Sequence, residues 1–173
     1  GVGGGVIING KILAGSFGAA GEIGHILVNP DESRLCGCGK CGCVEQYASA
    51  TGIVRLAKDF LKNWDKSTNL SETEEISAKL VFDLAKEGDE LALKVVDEAC
   101  RYLGIALAQV AQVVDPEAFV IGVGVSKAGD ILIEHTKKHY VPNVMKALKD
   151  REFLLASLGN DAGIYGCARL ILS

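Results

Sequence analysis

The sequence contains little that would direct the chain to a membrane or to a nucleic acid. No apolar run reaches the roughly 18–20 residues that a transmembrane helix needs. The glycine-rich first residues lack the basic segment that opens a secretory signal. The 18 basic residues are outnumbered by 22 acidic ones, and they form no stripe with interleaved aromatic residues. We therefore predict neither a membrane partner nor a nucleic-acid partner.

Internal repeats and low-complexity tails are also absent, and 49% of the 173 residues are hydrophobic. This is enough for one domain with a sizeable core. Strand patterns alternate with long helical ones, so the sequence predicts an α/β fold. The predicted elements are a hairpin with a type I′ turn at Asn9-Gly10, strands over 25–28, 119–121 and 153–155, and helices over 44–61, 77–85, 89–115, 130–148 and 161–172. In the helix over 89–115, Asp89 is the predicted N-cap residue, Pro116 ends the helix, and the apolar side includes Leu91, Val95, Ala99, Ala106 and Val113.

Four of the six cysteines lie within eight residues, at Cys36, Cys38, Cys41 and Cys43. Crowding does not favour free thiols, whereas a zinc ion takes four nitrogen or sulfur ligands, and the interleaved glycines let the backbone wrap around it. Disulfides are the alternative, but Cys36 and Cys38 are too close in sequence to bridge easily. Clustered thiols that bind metal suit a reducing compartment, so we predict a cytoplasmic protein.

Carboxylates flank this loop on both sides. Glu22 stands three residues before His25, and Glu45 stands two residues after Cys43. Carboxylates accept charge-assisted hydrogen bonds from the vicinal hydroxyls of a sugar. On the residues alone, both can equally be surface carboxylates, and the four cysteines can supply every ligand of the metal.

Two glycine-rich segments are candidates for contact with a nucleotide. Gly1, Gly3 and Gly4 belong to a loop whose backbone N–H groups can approach a phosphate closely. Gly122 and Gly124 lie between a predicted strand and a predicted helix, where α/β folds bind nucleotides. On spacing alone, each segment can equally be a simple turn.

Together these motifs resemble the signature of the ROK family, which contains repressors, open reading frames and sugar kinases. Glu-x-Gly-His at 22–25 precedes Cys-x-Cys-Gly-x-x-Gly-Cys-x-Glu at 36–45. The segments 1–11, 48–52, 121–129 and 158–163 are similar to glucose-phosphorylating members of the family. The resemblance covers nearly the whole chain and implies an actin-like ATPase, ribonuclease H-like fold with a zinc-binding loop at 25–45.

The resemblance also implies a structural zinc ion and a bound hexose. The zinc ligands would be His25, Cys36, Cys38 and Cys43. The sugar-binding residues would be Glu22, His25 and Glu45. Cys41 stands where the family commonly has a residue other than cysteine, so an all-cysteine zinc site stays open as an alternative.

The activity implied is the phosphorylation of glucose to glucose 6-phosphate by ATP with Mg²⁺, in a homodimer. The ATP contacts would be Gly1, Gly3 and Gly4 at the phosphates, and Gly122 and Gly124 at the adenosine, with Val123 in place of the usual glycine. The alternatives are a kinase for fructose or N-acetylmannosamine, or a sugar-responsive repressor. The glycine-rich phosphate loop favours a kinase, because a repressor has no need to hold ATP.

The family's kinases are about twice as long as this chain. We therefore expect residues 1–173 to be the C-terminal domain, without the N-terminal domain that carries the catalytic Asp. The chain alone is expected to be inactive, because transfer also needs closure of two domains.

Other reactive side chains are predicted to have no part in this site. His135 and His139 are four residues apart on a predicted helix, a spacing that can hold a metal. Without a third ligand, we predict a solvated face instead. Cys100 and Cys167 fall within apolar helical patterns and are predicted to be core residues.

Overall fold

The computed structural model describes residues 1–122, 128–162 and 164–166, which form a mixed α/β structure. The helices are α1 (Glu45–Ala48), α2 (Ala50–Leu61), α3 (Ala78–Lys86), α4 (Glu90–Val114) and α5 (Asp130–Tyr140). The strands are β1 (Ile7–Ile8), β2 (Lys11–Ile12), β3 (Ala118–Ile121) and β4 (Glu152–Leu155). None of the helices in these ranges is both long and apolar enough to cross a membrane.

The core forms around α4, which packs against α2, α3 and α5. Its apolar residues recur every three or four positions and are buried, as the sequence predicts; examples are Leu91, Val95, Ala99 and Ala106. Val113 was predicted to lie on the same face, and this was wrong, because its side chain is 86% exposed.

The predicted ends of α4 are confirmed. The Asp89 side chain accepts a hydrogen bond from the backbone N–H of Ala92 at 2.9 Å, as an N-cap residue does. The helix ends at Val114, where Asp115 takes a left-handed conformation with a φ of 49°. Pro116 follows directly and cannot continue the helical hydrogen bonds.

The predicted helix over 44–61 is two helices. Ser49 has an extended backbone, with φ −76° and ψ 164°, and its hydroxyl accepts a hydrogen bond from the backbone N–H of Gly52 at 3.0 Å. This serine therefore ends α1 and caps α2. As a result, Glu45 lies at the start of a separate four-residue helix.

The predicted helix over 130–148 also ends early, at Tyr140. Pro142 has no backbone N–H with which to extend the hydrogen-bond ladder. Short 3₁₀ turns follow at Val141–Asn143 and Lys146–Leu148. The fully buried Tyr140 donates its hydroxyl to the carbonyl of Leu148 at 2.7 Å, which holds these turns against α5.

The strands form two separate pairs. β1 and β2 are antiparallel and turn at Asn9 and Gly10, whose φ angles of 53° and 73° match the predicted type I′ turn. β3 and β4 are parallel, with Phe119 opposite Phe153. Most of the predicted helix over 161–172 lies outside the described residues, and so does the predicted core residue Cys167.

Candidate functional site

The segment that carries His25 is a 3₁₀ turn, Ile23–His25, where the sequence predicted a strand over 25–28. The prediction was wrong because the residues after His25 pair with the cysteine loop and form no regular strand. The N–H of Val28 donates to the carbonyl of Gly42 at 2.8 Å, and the N–H of Val44 donates to the carbonyl of Ile26 at 3.0 Å. The end of the loop therefore lies directly against this segment.

Four side chains from the turn and the loop converge. The Nδ1 atom of His25 lies 3.7 Å from the Sγ atom of Cys36, and the Sγ atoms of Cys38 and Cys43 are 3.6 Å apart. The ligand atoms of all four residues lie within 4.8 Å of one another. The thiol of Cys41 lies outside this group and is 3.6 Å from the carbonyl of Ser33. The geometry therefore groups His25, and not Cys41, with the other three cysteines.

This donor set fits zinc. Bonds of about 2.3 Å to sulfur and 2.0–2.1 Å to nitrogen in a tetrahedron separate the ligand atoms by about 3.3–3.8 Å. The distances of 3.6 Å and 3.7 Å lie in that interval. Four protein ligands leave no open coordination position, so such a metal would be structural.

The thiols of this cluster lie in different environments. Cys36 and Cys43 are buried, whereas Cys38 is exposed. Burial raises the pKa of Cys43 to about 12, and a backbone hydrogen bond from Lys40 lowers the pKa of Cys38. A buried neutral thiol ionises when a divalent cation binds it, so metal binding would release protons here.

Glu45 is the first residue of α1 and lies between the cysteine loop and the start of the chain. Its Oε1 atom is 3.4 Å from the thiol of Cys36, and its Oε2 atom accepts a hydrogen bond from the N–H of Val2 at 3.2 Å. Burial alone would raise the pKa of Glu45, but the bonds from Val2 and Cys36 outweigh it and hold the pKa below its ordinary value. The carboxylate is therefore ionised at neutral pH.

The glycine segment at the start of the chain packs closely against these residues. A Cβ atom added at Gly1 would lie 2.9 Å from Oε2 of Glu45, and one added at Gly4 would lie 2.6 Å from a side-chain carbon of Ile23. Gly3 faces open space. The structure thus places Gly1 beside Glu45 and Gly4 beside the turn that carries His25.

Glu22 begins the turn that carries His25. Its carbonyl accepts a hydrogen bond from the N–H of His25 at 3.1 Å, and its side chain is exposed. Within the same turn, a Cβ atom at Gly24 would lie 1.9 Å from the carbonyl oxygen of Val2. The turn and the glycine segment are therefore in direct backbone contact, which only a glycine at this position permits.

A polar cleft of about 220 Å³ opens beside Glu45. Three polar residues on its walls are Gln46, Thr51 and Arg55. Thr51 belongs to the segment 48–52 that resembles the family, whereas Gln46 and Arg55 were not predicted from the sequence. The guanidinium of Arg55 donates to the backbone carbonyl of Gln46 and so joins α2 to α1. No sequence motif marks Gln46 or Arg55, which come together where α1 and α2 meet at Ser49.

An ion-pair network that was not predicted from the sequence contacts α1 through Tyr47. Glu32, whose side chain is 6% exposed, accepts hydrogen bonds from Arg34 at 2.8 and 2.9 Å and from the hydroxyl of Tyr47 at 2.7 Å. Arg34 also pairs with Asp59 of α2 at 2.8 Å. The hydrogen bond from Arg34 is the main reason that the pKa of Glu32 falls to about 2.

Only one of the two predicted adenosine contacts can be placed. Gly122 follows β3, and a Cβ atom added there would lie 3.1 Å from the Cβ atom of Ala156. Gly124 and its neighbour Val123 lie outside the described residues.

The solvated face predicted for His135 and His139 was wrong. Their side chains are 23% and 18% exposed, and both contact Asp97 of α4. His135 Nδ1 lies 2.8 Å from Asp97 Oδ1, His139 Nε2 lies 3.0 Å from the same oxygen, and Lys138 pairs with it at 2.8 Å. The group joins α5 to α4. Cys100 is 1% exposed, which confirms it as a core residue.

Comparison with known proteins decides the family. The model of the ROK family matches residues 1–173. The chain belongs to the ROK family. Its relatives include a glucokinase of Halalkalibacterium halodurans, which is 46% identical over 99% of this chain and 53% of that protein. They also include an N-acetylmannosamine kinase of Escherichia coli, 35% identical over 99% of this chain and 54% of that protein.

Solved structures show the same spread of functions within the family. A ROK glucokinase from Streptomyces griseus, in complex with glucose and AMPPNP, has a TM-score of 0.82 at 37% identity, over 97% of this chain and 56% of that one. A ROK transcriptional regulator homologous to the E. coli MLC protein has a TM-score of 0.79 at 32% identity, over 90% of this chain and 39% of that one. This ROK chain spans about half the length of the curated relatives it matches.

Proposed function

We propose that this chain forms the sugar-binding and phosphate-binding part of an ATP-dependent hexokinase of the ROK family, with glucose as the sugar. The position of Glu45 carries the proposal. This carboxylate lies 3.4 Å from the sulfur of Cys36 in the cysteine loop and accepts a hydrogen bond from the N–H of Val2 in the glycine segment. A hexose bound there would lie beside the predicted ATP phosphates, as phosphoryl transfer requires.

In this proposal a zinc ion, held by His25, Cys36, Cys38 and Cys43, fixes the cysteine loop and takes no part in the reaction. Nδ1 is the nitrogen of His25 that lies beside Cys36, so Nε2 is left to bond a sugar hydroxyl. A metal on Nδ1 would fix the tautomer and the orientation of the ring, which makes Nε2 a reliable hydrogen-bonding partner.

The two carboxylates would bind the sugar itself. Glu45 is ionised, and Glu22 extends into solvent from the turn before His25. Each carboxylate can accept hydrogen bonds from two adjacent hydroxyls, and such charge-assisted bonds are roughly twice as strong as neutral ones. These residues bind and orient the hexose, and none of them is proposed as the general base.

The ATP site would use the backbone more than side chains. The N–H groups around Gly1, Gly3 and Gly4 would contact the phosphates, while Gly122 and Gly124 would lie against the adenosine. When bound, Mg²⁺ neutralises charge on the phosphates. The oxygen of the sugar's 6-hydroxyl attacks the γ-phosphorus, and its proton passes to the base expected in the N-terminal domain. The bond between the γ-phosphorus and ADP breaks, and the products are ADP and a hexose 6-phosphate. A homodimer in the cytoplasm remains our prediction for the whole protein.

A panel of sugars offered to the full-length protein with ATP tests this proposal. The panel contains glucose, fructose, N-acetylglucosamine and N-acetylmannosamine, and ADP release is measured. We expect the highest kcat/KM with glucose. A higher value with an N-acetylated sugar would replace glucose as the substrate, in line with the N-acetylmannosamine kinase among the relatives. If the protein binds a sugar but releases ADP with none of them, a transcriptional regulator would be favoured, like the ROK regulator among the solved structures.

A further inference from the structure

One buried amide joins the two ends of the cysteine loop. Gln46, the second residue of α1, is 5% exposed. Its Oε1 atom accepts a hydrogen bond from the N–H of Cys43 at 3.0 Å, and its Nε2 atom donates to the carbonyl of Arg34 at 2.8 Å. The side chain thus connects the residue two before Cys36 with the last cysteine of the loop.

We propose that Gln46 is a positioning residue that holds the cysteine loop closed and thereby keeps Cys36, Cys43 and Glu45 in place. A side chain needs both a donor and an acceptor to pair with these two backbone groups, and an amide has both. Without the amide, a buried N–H and a carbonyl lose their partners, which costs more than the net contribution of the two bonds.

The helix that carries Gln46 depends on such contacts. α1 has four residues, and an isolated helix of that length is not stable in water. Arg55 bonds the backbone carbonyl of Gln46 from α2, while the Gln46 side chain bonds the loop. Glu45, the neighbour of Gln46, is therefore oriented by a helix that is fixed from both sides.

The effect on the loop is independent of the proposed function, whereas any effect on sugar binding through Glu45 rests on it. Two variants separate the two hydrogen bonds. Gln46→Leu keeps an apolar stem of similar size and removes both bonds. Gln46→Glu keeps an acceptor for Cys43 and removes the donor to Arg34. Gln112→Leu is the matched control, because within the described part of the chain that exposed amide bonds only the carbonyl of Ala108 in its own helix, at 3.3 Å.

Thiol labelling tests the proposal directly. The full-length protein, as purified, reacts with an aromatic disulfide reagent, and each cysteine is quantified by peptide mass spectrometry. We expect Gln46→Leu to label Cys36 and Cys43 at least about tenfold faster than the wild type, because one lost hydrogen bond corresponds to about a factor of ten and this variant loses two. Cys41 and the core residue Cys100 should keep their rates. Gln46→Glu should give a smaller increase, and Gln112→Leu none.

Two results would overturn the proposal. Unchanged labelling of Cys36 and Cys43 in a folded Gln46→Leu variant would show that the amide does not close the loop. Faster labelling of Cys100 as well would show a general loss of stability. If Gln46→Leu does not fold, the labelling rates of Gln46→Glu still test whether the hydrogen bond to the carbonyl of Arg34 holds the loop closed.

A kinetic measurement extends the test to Glu45. We expect Gln46→Leu to raise the KM for glucose about tenfold and to leave the KM for ATP unchanged. An unchanged KM for glucose would limit the role of Gln46 to the loop. A wild-type protein without hexokinase activity would contradict the proposed function, while the labelling result would still decide on the loop.

Discussion

Gly42 is a position in the cysteine loop where one added methyl group should strongly disturb the site. Its φ angle is +75°, and a Cβ atom there would lie 1.9 Å from the carbonyl oxygen of Asn29. The carbonyl of Gly42 also accepts hydrogen bonds from the N–H groups of Val28 at 2.8 Å and Asn29 at 3.2 Å. Gly42→Ala should therefore push the cysteine loop away from the segment that follows His25.

Two other glycines of the loop separate backbone strain from the steric clash. Gly39 has a φ of +86° but no atom within 4 Å of an added Cβ, and Gly37 has neither feature. A left-handed L-residue costs about 1–2 kcal/mol, and overpacking adds about 1–3 kcal/mol. We expect losses of about 2–5 kcal/mol in unfolding free energy for Gly42→Ala and about 1–2 kcal/mol for Gly39→Ala. Gly37→Ala should change it by less than about 1 kcal/mol.

Urea denaturation followed by circular dichroism measures all three variants, and a constant m-value verifies that the same surface unfolds in each. Metal analysis of the same samples should show the lowest content in Gly42→Ala. A Gly42→Ala variant as stable as Gly37→Ala would refute the reasoning, because the contact with Asn29 would then not hold the loop.

Three further outcomes are expected. Cys43→Ser should abolish the metal content of about one zinc per chain, whereas Cys41→Ser should keep it; the reverse order would favour the all-cysteine site. Glu45→Ala should raise the KM for the sugar about tenfold to a hundredfold and change the KM for ATP little, and Glu22→Ala should act in the same direction. A change in the KM for ATP alone would contradict the placement of the sugar. Because the pKa of Glu32 is about 2 in the fold and ordinarily 4.5, this carboxylate stabilises the fold above pH 4.5 and its contribution is lost as the pH falls from 4.5 to 2. Unfolding free energies of Glu32→Gln should therefore depend less on pH in that interval, and slopes equal to the wild type would count against the network.

Local signals in the sequence predicted much of the fold. Asn9 and Gly10 predicted the hairpin turn, Asp89 and Pro116 predicted the ends of α4, and Ser77 predicted the start of α3. Each of these residues acts through a hydrogen bond or a dihedral angle within a few positions of itself. The resemblance to the ROK family implied the donor cluster of His25, Cys36, Cys38 and Cys43 that the structure brings together. The residues alone predicted a metal at the cysteine loop but did not choose between His25 and Cys41.

Features that depend on distant contacts could not be predicted. The apolar pattern continues across Ser49, so the sequence does not show that this serine ends α1. Asp97 lies 38 residues before His135 and 42 before His139, and nothing local indicates that one carboxylate contacts both. Gln46 carries no motif, since its role follows from where Arg34 and Cys43 are placed by the folded loop.

We propose that a metal held by the His25–cysteine cluster organises the hexose site beside Glu45. Calorimetric titration of the full-length protein with glucose, before and after metal removal by a chelator, tests it most directly. We expect one glucose per chain with the metal present. Removing the metal should lower the affinity for glucose at least about tenfold, and added zinc should restore it. Glucose affinity that is unchanged by metal removal would contradict the proposal.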